Sequence, residues 1–180
     1  MNIIGKKVIL TRAVESDIDF LCKVESDKDL WIYEESVKNN DDKLREQFLK
    51  QINGDTCHNF IVTIKDDDHK LPIGFVSVWQ YTDWRKSWEV GYCILPQYQN
   101  KGYGVESLKL LIGFAFKQLK AHKVVGMCNT MNVASAKMMS TCGMRLEGIF
   151  KEELDWNGKW TDQHFYSILE SEFIDSKIEE

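Results

Sequence analysis

The stretch WEVGYCILPQYQNKGYGVE, residues 88–106, decides how the rest of the chain is read. Its first part, within Ser87 to Leu95, is dense in aromatic and branched residues and predicts a strand. Pro96 follows where a missing amide donor is tolerable. The loop Gln99 to Gly104 then carries a Gly-x-Gly pair directly before an amphipathic segment, Gly102 to Leu119. Leu108, Leu111, Ile112, Ala115, Phe116 and Leu119 form one broad stripe there, so the segment predicts a helix buried on one face. A glycine loop between a strand and a helix is a place where a phosphate can bind, because the first helical amides have no internal partner and the helix dipole is positive there. The same residues also describe an ordinary helix-start turn. No Lys-Ser/Thr pair follows to make a nucleotide loop of the Walker kind.

Outward from this stretch, Lys123 to Asn129 predicts a buried strand and Asn132 to Thr141 a helix, with Gly143 suited to a positive φ at its end. Arg145 to Trp156 and Lys159 to Leu169 flank Asn157-Gly158, a strong hairpin signal. Toward the N-terminus, His58 to Ile64 and Pro72 to Trp79 form a second hairpin around the polar turn Lys65 to Lys70. Asp41 to Ile52 predicts a helix with Leu44, Phe48, Leu49 and Ile52 on its buried face, and Asp27 to Asn40 a loop or irregular helix. Glu15 to Val24 predicts a short helix with Ser16 as its N-cap, and Lys6 to Arg12 a first strand. The acidic stretch 170–180 is expected to fray. This order predicts one α/β domain over residues 1–180. Its sheet is mixed and mostly antiparallel, with six to seven strands, and is flanked by helices.

Composition narrows the function. The 180 residues carry 23 basic and 28 acidic side chains, a net charge of -5, which argues against a general nucleic-acid binder. No apolar run reaches the roughly 18 residues of a membrane helix, and the N-terminus lacks the order of a signal peptide. Five cysteines without a CxxC pair, Cys22, Cys57, Cys93, Cys128 and Cys142, are expected to be reduced thiols in a cytoplasmic protein. The four histidines show no metal-ligand spacing, and no metal is expected.

Gln99, Gly102 and Gly104 match the Arg/Gln-x-x-Gly-x-Gly/Ala pattern of acetyl-CoA binding, and the chain resembles the GNAT superfamily of N-acetyltransferases. Further runs resemble its RimJ/RimL-like branch: Thr11-Arg12 with Asp17, Asn132-x-x-Ser135, Cys142-Gly143-Met144, Leu146-Glu147-Gly148 and Asn157 to Asp162. Met144 stands where that branch usually has phenylalanine.

The resemblance implies transfer of an acetyl group from acetyl-CoA to an amine by direct attack. It implies that the strand around Glu89 to Leu95 splays from Lys123 to Asn129, with the pantetheine arm bonding backbone at Cys93, Ile94 and Leu95 and an oxyanion donor near Ile94 or Leu95. The pyrophosphate is then expected on the amides of Asn100, Lys101, Gly102, Tyr103 and Gly104, with Gln99 also among the cofactor-binding residues and Asn132 facing the cofactor. A lysine-like amine arrives protonated, so a base is needed, and Glu89 is the first candidate. Glu152 and Glu153 are weaker ones. Ser135 is the candidate donor to the departing thiolate. Glu89 in a structural ion pair, and Ser135 as a plain helix cap, are the competing readings. An acyl-cysteine at Cys93 or Cys142 is not expected.

The acceptor side is expected to be built by Asp27 to Lys38, Gln80 to Lys86 and the last hairpin. Trp31, Tyr33, Glu34 and Trp84 are its candidate residues, with Glu35 beside them. Core packing of the tryptophans and a solvated acidic helix end explain the same residues. A peptide N-terminal amine is the expected acceptor, with a polyamine or aminoglycoside as the alternative. A non-catalytic acyl-CoA-binding module is the alternative of another class. The expected assembly is a monomer or homodimer.

Overall fold

The fold was determined as a computed structural model that describes residues 1–173. Among the described residues eight strands form one sheet: β1 (Asn2–Ile4), β2 (Val8–Arg12), β3 (Cys57–Ile64), β4 (Pro72–Thr82), β5 (Ser87–Ile94), β6 (Lys123–Asn129), β7 (Arg145–Trp156) and β8 (Lys159–Leu169). Their spatial order is β1-β2-β3-β4-β5-β6-β8-β7, and every neighbouring pair is antiparallel except β5 and β6. Four helices complete the domain: α1 (Ile18–Glu25), α2 (Asp42–Asn53), α3 (Tyr103–Lys117) and α4 (Val133–Thr141). Helix α3 is the crossover that the parallel β5–β6 pair requires.

The eighth strand arises because the N-terminus folds back on itself. Gly5 donates its amide to the Val8 carbonyl, and the amides of Lys6 and Lys7 go to the Glu106 carboxylate at 2.5 and 2.8 Å. The expected first strand is therefore cut to Val8–Arg12, and Asn2–Ile4 pairs beside it.

Period-2 alternation divides the core between the two faces of the sheet. Val8, Leu10, Phe60, Val62, Val76, Val78 and Val90 face α3, against Leu108, Leu111, Ile112 and Ala115. Ile61, Phe75 and Cys93 face α1 and α2, against Leu21, Cys22, Leu44 and Phe48. Burying each large apolar side chain contributes about 1.5–3 kcal/mol, so both faces hold their helices firmly.

Three local expectations change. Ser16 does not cap α1: a 3-10 turn, Glu15–Asp17, precedes it, and the Asp17 carboxylate accepts from the Val14 amide. Leu49 is exposed, because α2 turns only Leu44 and Phe48 fully inward. Glu170–Glu172 form a 3-10 turn that brings Phe173 against Phe116, ring centroids 5.2 Å apart, and the rest of the expected fraying tail lies outside the described residues. Among the described residues, no helix is long and apolar enough to cross a membrane.

Candidate active site

The sheet splits where its parallel pair, β5 and β6, ends. β5 and β6 are paired only over Ser87–Glu89 and Lys123–Val125, although β5 runs on to Ile94 and β6 to Asn129. A cleft of about 1300 Å³ passes through this split and is lined from both faces. Leu95 donates its amide to the Ile73 carbonyl at 2.9 Å. By antiparallel alternation Gly91, Cys93 and Leu95 turn their amides and carbonyls toward β4, and Tyr92 and Ile94 turn theirs toward the split. This corrects the expectation for Cys93 and Leu95. Their backbone groups are committed to β4, Leu95 does not line the cleft, and Ile94 is left as the expected residue with an amide aimed into it.

The glycine loop lies at one end of the cleft. Asn100 (φ 60°) and Gly102 (φ 83°) are left-handed, the latter as the N-cap of α3. The first helical bond runs from Glu106 N to Gly102 O at 3.1 Å, so the amides of Gly102 to Val105 precede the helical ladder. A Cβ on Gly104 would meet Met138 Sδ at 2.9 Å, on the floor between α3 and α4. Four forward-pointing amides at a dipole's positive end, with two residues lacking side chains, fit a diphosphate. Gln99 lines the cleft, but its side-chain amide donates to the Ile94 carbonyl at 2.8 Å and braces the loop. Lys101 turns away to the Gln97 carbonyl and the Tyr98 ring, and Tyr103 packs on the core. Neither side chain lines the cleft.

The start of α4 forms the next wall. Asn132 is its N-cap and accepts from the Ser135 amide at 3.1 Å. Ser135 is therefore not the cap. Its hydroxyl meets the Tyr92 hydroxyl at 2.7 Å. Burial pushes the Tyr92 phenol above its usual range, so it stays neutral. Tyr92 is the residue that sequence reasoning missed; its signal was a lone phenol in the strand segment expected to splay.

Glu89 sits on the opposite face of β5, with the same parity as Cys93. Its Oε2 accepts from Trp79 Nε1 at 3.1 Å, and the Trp79 ring reaches it by crossing Gly91, where a Cβ would stand 2.9 Å away. Among the described residues Glu89 forms no ion pair; burial raises its carboxyl to about 7, opposed by the Trp79 hydrogen bond and assisted by Glu34. Glu34 is raised as well, by burial first and then by Glu25 and Glu35. Trp31, Tyr33 and Glu34 all line this side, whereas Glu25 is paired with Lys38 at 2.9 Å. Trp84 is 83% exposed on a turn outside the cleft, which corrects its assignment to the acceptor side. Glu35 accepts from the Asp155 amide instead of facing the cleft, and Glu152 and Glu153 are exposed on β7. Burial pushes the Cys93 and Cys142 thiols up to about 12, the reverse of what a nucleophilic cysteine needs.

This geometry has known counterparts. Residues 7–145 match the Acetyltransferase (GNAT) domain family. YnaD of Bacillus subtilis, described as an uncharacterized N-acetyltransferase, is 29% identical over 96% of this chain and 99% of its own. A GNAT acetyltransferase structure from Bacillus anthracis superposes with a TM-score of 0.81 at 27% identity, covering 96% of this chain and all of that one (100%). The spermidine N-acetyltransferase of Vibrio cholerae, solved with CoA and spermine, superposes with a TM-score of 0.83 at 25% identity over 93% of this chain and 98% of its own. The chain belongs to the GNAT acetyltransferase family and is an acetyl-CoA-dependent N-acetyltransferase.

Proposed function

We propose that the acceptor is a small amine carrying more than one positive charge, of the polyamine type. The observation that carries this reading is the pair of carboxyls lining the aromatic side of the cleft, half-buried Glu89 and the more exposed Glu34, with Trp31, Tyr33 and Trp79. Glu89 is raised by burial and by Glu34, and Glu34 by burial and by Glu25 and Glu35, so a cation placed beside the two carboxyls favours the ionised form of each. Aromatic faces add cation–π attraction of about 0.5–2 kcal/mol each. A structural relative solved with spermine supports the same class.

Bound acetyl-CoA supplies the thioester whose acetyl group is transferred. The amides of Gly102 to Val105 hold its diphosphate, with Asn100 and Asn132 beside them. Tyr92 and Ile94 offer backbone groups to its pantetheine arm, and the Ile94 amide is the oxyanion donor. Glu89 takes the proton from the ammonium, at Oε1 or Oε2, while Trp79 Nε1 fixes the carboxyl plane.

A peptide N-terminal amine is the second reading. It rests on Asn132-x-x-Ser135, whose resemblance to the RimJ/RimL-like branch is matched by a Ser135 hydroxyl lining the cleft.

The test is acetyl-CoA turnover against spermidine, spermine, an aminoglycoside and peptides of varied N-terminus, read by mass spectrometry. Acetylated spermidine or spermine as the main product is the expected result. Peptide products alone would move the assignment to the second reading. CoA binding with no product from any amine would favour a non-catalytic module.

A further inference from the structure

Glu89 and Tyr92 differ by three positions on one strand, so they project from opposite faces of β5 into the split that carries the cleft. Glu89 opens on the α1–α2 side, and Tyr92 opens on the α3–α4 side, where the diphosphate cradle lies. The Tyr92 hydroxyl reaches one defined partner side chain, the Ser135 hydroxyl, at 2.7 Å. We infer that Tyr92 is a positioning residue for acyl transfer: its O–H donates to Ser135 Oγ and leaves the Ser135 hydrogen free to point at the leaving sulfur. This rests on the acetyl-transfer reading of the cleft and adds a residue to it.

The direction of the bond follows from the surroundings. A phenol in this pocket stays protonated and donates. Cys128, Cys142 and Tyr166 are the titratable groups around it, and burial raises both thiols. No cation stands among these groups to favour tyrosinate. Ser135 Oγ accepts from Tyr92 at 2.7 Å, its backbone amide goes to Asn132, and its own hydrogen is shared between the Cys128 thiol beside it and the cleft.

The balance of the step is simple. The amine nitrogen, stripped of one proton by Glu89, bonds to the acetyl carbon. The carbon–sulfur bond breaks with its electron pair on sulfur, and the nitrogen's second proton goes to water. Ser135 donates a hydrogen bond to the thiolate and keeps its proton, so Tyr92 never has to ionise.

The test reads the bound thiol directly. CoA without acceptor is titrated on the protein by the ultraviolet absorbance of its thiolate. Wild type is expected to hold the thiol below the roughly 8.5 of a free thiol. Tyr92→Phe is expected to return it upward by about one unit, and Ser135→Ala by as much. Tyr92→Phe should also lower kcat about tenfold with the acceptor KM unchanged, and Tyr92→Phe/Ser135→Ala should lose no more than Ser135→Ala alone. Ser135→Thr, which keeps the hydroxyl, should retain the thiol shift. An unshifted thiol in wild type, an equal shift in wild type and Tyr92→Phe, or additive losses in the double variant would each overturn the assignment. The titration needs no acceptor, so a failed amine panel leaves it readable.

Discussion

At the scale of the residue, the proposed chemistry turns on Glu89, a carboxyl whose burial and acidic neighbour hold it near 7. A base must be ionised to work, so kcat/KM should rise about tenfold per pH unit below pH 7 and bend near 7, about 2.5 units above an ordinary glutamate. Stability should run the other way. Below about pH 4.5 Glu89 is neutral in both folded and unfolded chains. Between there and 7 the unfolded chain ionises first, and stability falls as pH rises. The full penalty, on the order of 2–3 kcal/mol, is present above 7. Glu89→Gln keeps an acceptor for Trp79 Nε1 and removes the charge. It should cost at least about 100-fold in kcat. At pH 8 it should also raise the denaturation midpoint, by on the order of 1–2 kcal/mol. Equal loss of activity with a fall in stability would instead make Glu89 a structural residue.

At the scale of the element, the glycine loop couples backbone conformation to ligand geometry. Gly102 caps α3 at φ 83°, where an L side chain costs about 1 kcal/mol. Its Cβ would stand 3.2 Å from Lys7 Nζ, the far end of a flexible side chain, so the strain is conformational more than steric. Gly102→Ala is expected to lower Tm by about 2–4 °C and to weaken CoA binding about tenfold, measured by thermal denaturation and calorimetry. The loop and the helix behind it were legible because glycine spacing and apolar period are local properties. So were the bounds of β6, β7 and β8, which Asn157-Gly158 and branched runs mark directly. Ser16 misled because Asp17, one residue on, also accepts amides. Tyr92 stayed hidden because its role depends on where the β5–β6 pairing stops, a long-range property of the sheet. Trp84 misled because exposure is decided by packing that no local pattern encodes.

At the scale of the whole molecule, the proposed acceptor side is assembled from segments far apart in sequence. The chain between α1 and α2 carries Trp31, Tyr33 and Glu34, and has no helix or strand of its own to hold it. It is pinned by the end of the β7–β8 hairpin and by β6. Trp156 Nε1 donates to the Ile32 carbonyl at 2.8 Å, and its ring stacks on Tyr33 with centroids 5.9 Å apart. Asp155 donates its amide to Glu35 at 2.8 Å, and Asn129 donates its side-chain amide to the Tyr33 carbonyl at 3.3 Å. None of these contacts touches the glycine loop proposed to hold the diphosphate, so the two halves of the site should separate under mutation. Trp156→Ala removes one hydrogen bond and one ring stack, together about 1.5–2.5 kcal/mol. Because each 1.4 kcal/mol is a factor of ten, the acceptor KM should rise at least about tenfold while CoA affinity stays within about twofold. Steady-state kinetics with the acceptor found in the panel, alongside calorimetry with CoA, reads both quantities. A parallel loss of CoA affinity would mean that the hairpin supports the whole cleft, and an unchanged acceptor KM would remove the pinned segment from the acceptor site.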